Sequence, residues 1–504
     1  MALASPVKAA SQTIIVPDNY PTIAAALGNA SSGDTILVRS GTYLEHSLTI
    51  DKTLILIGEN ASDTIISDID EASPIFGSSI MAGPTAIWIS ANNVTISGFT
   101  IDNGNPDIGG GGSKTLITGN ILPGGITLSA GSYQTITQNY MGPTRIQTPY
   151  TLIVNNTVSG SGALVDLEAA GASGCDCVVY MNSLNGTGTD SPVAGSSTGV
   201  EAYQSYDNLI AYNNITNCYA GVNLVSGSHN NVTANRIDYG VFGVATTQGG
   251  GNNIFNANDI SGNDYATALS GLRDTLCNNN FINNDKIIGN PDSIIGPNPS
   301  PTTYWSNNSR GNYWSDYQSR YPNAVEVDSS GIEDTPYVID ANNTDSYPLV
   351  AAYNVSSEAI QLPEWAMSAL TTSVPAASFP PQPQPTSTLV NQTPSPSPTA
   401  NASSVQQSPD GSQQNQTDKP PALPSPLIIL ALIIASVALA GTAVSLYLRW
   451  RDKKLNNRKE RAVIPCTAVG FAVPPWFCSE LPYLLWMRLR LLVSTLPLFP
   501  SKDA

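Results

Sequence analysis

Residues Gly199 to Ile282 read GVEAYQSYDNLIAYNNITNCYA, then GVNLVSGSHNNVTANRIDYGVF, then GVATTQGGGNNIFNANDISGNDYATALSGLRDTLCNNNFI. The first two units are 22 residues long, and each of the three opens on a Gly-Val pair: Gly199-Val200, Gly221-Val222 and Gly243-Val244. Ile215, Ile237, Ile260 and Ile282 follow at spacings of 22, 23 and 22. A fixed period of this size marks a solenoid, in which one repeat hides its apolar face only by stacking on the next.

The inner period says which solenoid. Val200-Glu201-Ala202 and Val222-Asn223-Leu224 alternate apolar with polar, as strands with one buried face do. Long helical runs are missing, and β-branched residues, Asn and Gly dominate. A turn of this length divides into three short strands and three bends, the make-up of a parallel β-helix. Asn208, Asn213, Asn230, Asn231, Asn252, Asn253, Asn278 and Asn279 fall at the expected bends, where Asn tolerates a left-handed backbone and bonds its own chain. Stacked on successive coils, such residues also form amide ladders. Residues 35–290 make about 11 coils, a rod of roughly 50 Å at about 4.8 Å per coil.

The 504-residue chain has formal charge −17. Residues 1–424 hold 11 Lys+Arg against 34 Asp+Glu, a balance of −23, whereas residues 425–504 hold 10 against 4, a balance of +6. So acidic a main domain excludes nucleic acid as partner, since phosphates demand a basic face. Cys175, Cys177, Cys218, Cys277, Cys466 and Cys478 are too few and too unevenly spaced for a disulfide framework. Thirteen Asn-X-Ser/Thr sequons all precede the apolar run near the C-terminus, which fits a glycosylated, exported region.

Residues 1–12 read as a leader or the remnant of a signal peptide. Thr13 to Val16 reads as a strand, and Pro21 to Leu27 as a short helix with Pro in its first turn, covering the open end of the first coil. Asp34 to Val38 and Thr53 to Ile57 read as buried strands. Gly109 to Gly112 reads as a flexible loop, without the Lys-Ser/Thr and helix that a phosphate cradle needs.

PDNYPTIAAAL, GDTILVRSGTY and LTIDKTLILIGEN near the start, with GNYWSDY (Gly311 to Tyr317), GIEDTPYVI (Gly331 to Ile339) and DANNTDSYPL (Asp340 to Leu349), resemble right-handed parallel β-helix proteins. The superfamily is the pectin-lyase-like one, and the nearer match is its NosD-like, CASH-domain group in the membrane-anchored surface form of archaea. The resemblance covers residues 13–350. It implies the fold, and for chemistry only a range, because the superfamily holds lyases, hydrolases, esterases and non-enzymes.

Residues 351–426 are rich in Pro, Ser, Thr and Gln and read as an extended stalk. Leu427 to Leu448 is 22 residues without a charge, long enough to cross a bilayer as one helix. The basic run that follows makes residues 449–504 a cytoplasmic tail and places the β-helix outside the cell.

A β-helix works through outward side chains of adjacent coils. Asp166 and Glu168, two apart on a strand, share a face and suit a cation such as calcium or acid–base work. Arg236 with Asp238, and Arg273 with Asp274, are the other outward charges. The NosD resemblance implies copper delivery, for which Cys175, Cys177 and Met181 form the soft cluster. Trp305, Tyr313 and Trp314 offer rings either for stacking on sugars or for closing the last coil. The leading expectation is a non-enzymatic surface protein that binds extracellular carbohydrate or surface-layer proteins. The alternatives are a polysaccharide lyase or hydrolase using Asp166, Glu168 and an outward Arg, and a copper-delivery accessory; three outward carboxylates and an Arg within about 8 Å in one groove would favour the enzyme.

Overall fold

Each coil contributes one short strand to each of three parallel sheets. A computed structural model describes residues 11–67, 85–102, 104–168, 175–187, 197–289, 303–372 and 374. Among them sheet A has 12 strands, from Thr13–Val16 to Thr275–Cys277; sheet B has 12, from Gly41–Leu44 to Tyr313–Trp314; sheet C has 11, from Leu48–Ile50 to Lys286–Ile288. The expected all-β solenoid is present. The leader through residue 10, the stalk beyond residue 374, the apolar run 427–448 and the basic tail lie outside the described residues. Among those described, no helix is long and apolar enough to cross a membrane.

The register explains the repeat. In sheet B Ile215 pairs with Ile237, Ile237 with Ile260 and Ile260 with Phe281, so like stacks on like along the core. Ile215, Ile237 and Ile260 are buried, and sealing such a side chain contributes about 2 kcal/mol. The fourth member of the series is thus Phe281. Ile282 instead pairs with Ser261 and turns away from the core. The Gly of each Gly-Val pair faces inward at the corner where sheet B gives way to sheet C. A Cβ on Gly199, Gly221 or Gly243 would stand 2.3, 2.2 or 2.5 Å from Cγ2 of Ile215, Ile237 or Ile260. Gly and Ile recur together because each isoleucine occupies the space a glycine leaves.

The bends between sheets A and B divide the work expected of Asn between two adjacent positions. The left-handed position is held by Gln138, Asn155, Met181, Tyr212, Ala234, Ala257 and Asn278. The next residue is the ladder Asn: Asn139, Asn156, Asn182, Asn213, Asn235, Asn258 and Asn279. Each sends its side-chain amide to the Oδ1 of the Asn one coil on, at 2.9–3.1 Å, and the file runs from Asn120 to Asn312. A second file joins Asn208, Asn230, Asn253 and Asp274. Buried amides so paired stabilise; unpaired they would cost several kcal/mol. Asn252 and Asn278 do sit in left-handed bends, whereas Asn231 is an exposed strand residue.

Both ends of the described rod are closed. The N-terminal helix spans Ile23–Asn29, with Thr22 as cap and Pro21 just before it, and buries Ile23, Ala26 and Leu27. The Glu45 carboxylate takes the free N–H groups of Ile23 and Ala24, both at 2.7 Å. At the other end Phe281, Trp305, Trp314 and Tyr337 stack, the last two with ring centroids 4.1 Å apart. Beyond residue 350 the chain runs back along the outside of sheet A. Tyr353 N–H donates to Asn280 Oδ1 at 2.7 Å, and helix Glu364–Leu370 sets Ala366 against Leu152, Val154 and Val178. The first part of the segment read as stalk is therefore packed chain.

Gly109 to Gly112 is not a loose loop. Gly109 and Gly110 lie in strand Ile108–Gly110 of sheet C, and all four glycines are buried. A Cβ on Gly112 would meet the Ala91 carbonyl oxygen at 1.9 Å. The glycines admit a close backbone approach.

Candidate functional site

Sheet C carries the charged outer face. Pleating turns alternate side chains outward, and parallel register puts Arg145 beside Asp166 and Asp166 beside Glu201, with Asn223 beside Glu201. Glu168 is on the same strand as Asp166 and pairs with Tyr203. Arg145 Nε donates to Asp166 Oδ2 at 2.8 Å and stands 3.8 Å from Glu168 Oε2. Gln147 Nε2 holds the same Glu168 oxygen at 2.8 Å. One guanidinium thus serves two carboxylates, and a third carboxylate adjoins them without a cation of its own among the described ion pairs.

Burial pushes the Asp166 carboxyl above its ordinary range, against the pull of Arg145. Burial raises Glu201 as well, the Asp166 charge adds to it, and the Asn223 side chain opposes it. Carboxyl groups biased toward the protonated form beside an ion pair are the usual raw material of acid–base chemistry.

The other expected residues lie elsewhere. Arg236 and Asp238 pair with each other on sheet B, a different face of the rod, and Asp238 is buried against Ser261. Asp274 is buried at a bend, where its Oδ1 ends the shorter amide file, and Arg273 before it is in the left-handed conformation. Trp305 and Trp314 are 3% and 1% exposed within the closing stack, so they offer no ring to a sugar; Tyr313 is half-buried next to them. Cys175 and Cys177 point into the core, where both thiols approach the Thr148 carbonyl oxygen, at 3.7 and 3.4 Å. Met181 is 49% exposed on the outside. The three sulfurs do not converge, and the donor set does not fit copper. Among the described residues no group of three or more His, Cys, Asp or Glu is placed to hold a metal ion.

Sequence reasoning found Asp166 and Glu168 and missed Arg145 and Glu201. Arg145 lies 21 residues before Asp166, one coil, and was within reach of the repeat. Glu201 lies 35 residues after Asp166, since the intervening coil is longer than the rest, and that hid the pairing.

A family model described as periplasmic copper-binding protein (NosD) matches residues 125–319. This part of the solenoid is NosD-like. The NosD-like stretch includes Arg145, Asp166, Glu168 and Glu201, and also the two core thiols. No curated protein matches the sequence. Similar solved structures include the A-module of mannuronan C-5 epimerase AlgE6 from Azotobacter vinelandii, at 13% identity and TM-score 0.38 over 56% of this chain and 92% of that one. The PL6-family alginate lyase AlyGC is similar at 12% identity and TM-score 0.36, over 59% of this chain and 47% of that one. The Dettilon tailspike protein follows at 13% and 0.34, over 56% and 69%. At these scores nothing about activity carries across to this chain.

Proposed function

We propose that the outer face of sheet C binds and hydrolyses a neutral extracellular glycan. The observation that carries this is the contact of Arg145 with both Asp166 and Glu168, with Glu201 beside Asp166 on the next coil. Glu201, biased toward its protonated form, donates to the leaving oxygen. Asp166, where the contact with Arg145 opposes the upward push of burial, faces the sugar as nucleophile or as base for water. Glu168, tied by Gln147, holds the guanidinium in place.

Charge selects the substrate class. A uronate polymer brings a carboxylate on every sugar and needs a free cation to receive it, but Arg145 is already engaged twice. Three carboxylates to one guanidinium repel such a chain and tolerate a neutral one. In the same reading residues 427–448 tether the solenoid to the outer side of a membrane; their apolar length and the basic run after them support this.

The test is incubation of the full chain with neutral polymers (xylan, mannan, mixed-linkage glucan) and with alginate and pectate, following new reducing ends. Cleavage of a neutral polymer that Glu201→Gln abolishes is the expected result. Depolymerisation of alginate or pectate with appearance of an unsaturated, ultraviolet-absorbing end would overturn the neutral assignment, and no cleavage of anything would return the protein to a binding role.

A further inference from the structure

We infer that Trp88 is a stacking subsite for a sugar bound well away from the carboxylates, so that the glycan lies along the rod axis. This rests on the proposed reading of sheet C and adds the direction and length of the ligand. Trp88 occupies the outward column of the charged residues: by register Thr49 is followed by Trp88, Gly109, Thr127, Arg145, Asp166 and Glu201. It is 46% exposed.

Its ring is held flat by the next coil. A Cβ on Gly109 would come 3.2 Å from Trp88 Cε3, and one on Gly110 would come 3.0 Å from Cε2 and 3.2 Å from Cδ2. The six-membered ring therefore lies on bare backbone, leaning toward Arg145, with half of the residue open to solvent. Two side chains in the place of those glycines would tip it up. A large aromatic surface supported on one side and wet on the other, in a column of small and polar residues, suits the apolar face of a pyranose.

Four coil steps separate Trp88 from Asp166, about 19 Å at roughly 4.8 Å per step. A pyranose in an extended chain is close to one coil in length, so a ligand touching both needs about five sugars. Disaccharides reach the carboxylates alone; hexasaccharides reach Trp88 as well.

The experiment measures binding of gluco-, xylo- and manno-configured disaccharides and hexasaccharides to the full chain carrying Glu201→Gln, and their cleavage by the wild type, each with and without Trp88→Ala or Trp88→Phe. Trp88→Ala is expected to weaken hexasaccharide binding about tenfold and to leave disaccharide binding and cleavage unchanged, with Trp88→Phe between. An unchanged melting temperature excludes misfolding as the cause. If the wild type cleaves and Trp88→Ala alters both lengths equally or neither, the subsite is wrong and the hydrolase reading stands. If nothing is cleaved but hexasaccharide binding falls with Trp88→Ala, the subsite stands and hydrolysis does not. If no oligosaccharide binds, both are overturned.

Discussion

Asp345 Oδ2 accepts the backbone N–H of Asn312 at 2.7 Å and so ends the file of amides that begins at Asn120. Along that file every Asn donates toward the C-terminus and accepts from the coil before it. The last group has only to accept, and a carboxylate does so with nothing left over. Asp274 ends the second file through its Oδ1, while its Oδ2 is buried without a hydrogen-bond partner. A polar stack inside an apolar rod has a direction, and the acidic residue marks where it stops.

The end residue gives the fold a pH dependence. Burial outweighs the bonds from Asn312, Trp314 and Tyr347 and pushes the Asp345 carboxyl up from 3.8 to about 6. The folded chain then holds this proton more tightly than the unfolded chain does. The contribution is most favourable below the unfolded pKa and is lost as pH rises from about 4 to about 6, by at most about 3 kcal/mol. Urea unfolding of wild type and Asp345→Asn across that window should show the wild type losing stability relative to the variant; parallel curves would mean that Asp345 does not titrate there.

Gly221→Ala should destabilise by about 3 kcal/mol, because its Cβ would stand 2.2 Å from Ile237 Cγ2 and 2.6 Å from the Gly243 carbonyl oxygen. Gly28→Ala is the control. It sits in the N-terminal helix with open space around it, and Ala there should gain about 0.5–1 kcal/mol. The two Gly-to-Ala changes should thus move the melting temperature in opposite directions.

Position within the file should matter more than residue type. Asn235 donates to the Ile210 carbonyl at 2.8 Å and to Asn258 at 3.0 Å, while its Oδ1 receives two bonds from Asn213 at 2.9 Å. Asn235→Ala leaves these partners buried and unpaired, a loss of about 3 kcal/mol. The exposed Asn231 should tolerate Ala within about 0.5 kcal/mol. Equal losses at the two positions would remove the ladder from the account of stability.

The solenoid was legible because one residue every 22 must fit against its own copy, and Gly199, Gly221 and Gly243 record that constraint directly. The ladder was half legible: Asn stood out at the bends, but which of two neighbours turned the chain and which joined the file depends on backbone geometry that Tyr212 or Met181 does not announce. Gly109 to Gly112 misled, since glycine that lets backbone approach and glycine that frees a loop are spelled alike. The site resisted for another reason. The candidate site is a relation across coils, and a longer coil between Asp166 and Glu201 erased the spacing that joins them.

Arg145→Gln should separate a working ion pair from decoration. The guanidinium lowers both Asp166 and Glu201, so its loss lets both carboxyls rise further. If Asp166 must be ionised for cleavage, the acidic limb of kcat/KM should move to higher pH, because a larger share of Asp166 is protonated at any given pH below the optimum. Glu201 rising with it extends the alkaline limb, so the whole bell moves upward rather than narrowing. Arg145→Lys, which keeps the charge but not the Nε–H that Asp166 accepts, should shift the profile less. The measurement is the pH–rate profile on the neutral polymer that the wild type cleaves. A variant profile that loses height without moving along the pH axis would show that Arg145 orders the face but does not set its protonation, and the acid–base assignment of Asp166 would have to be given up.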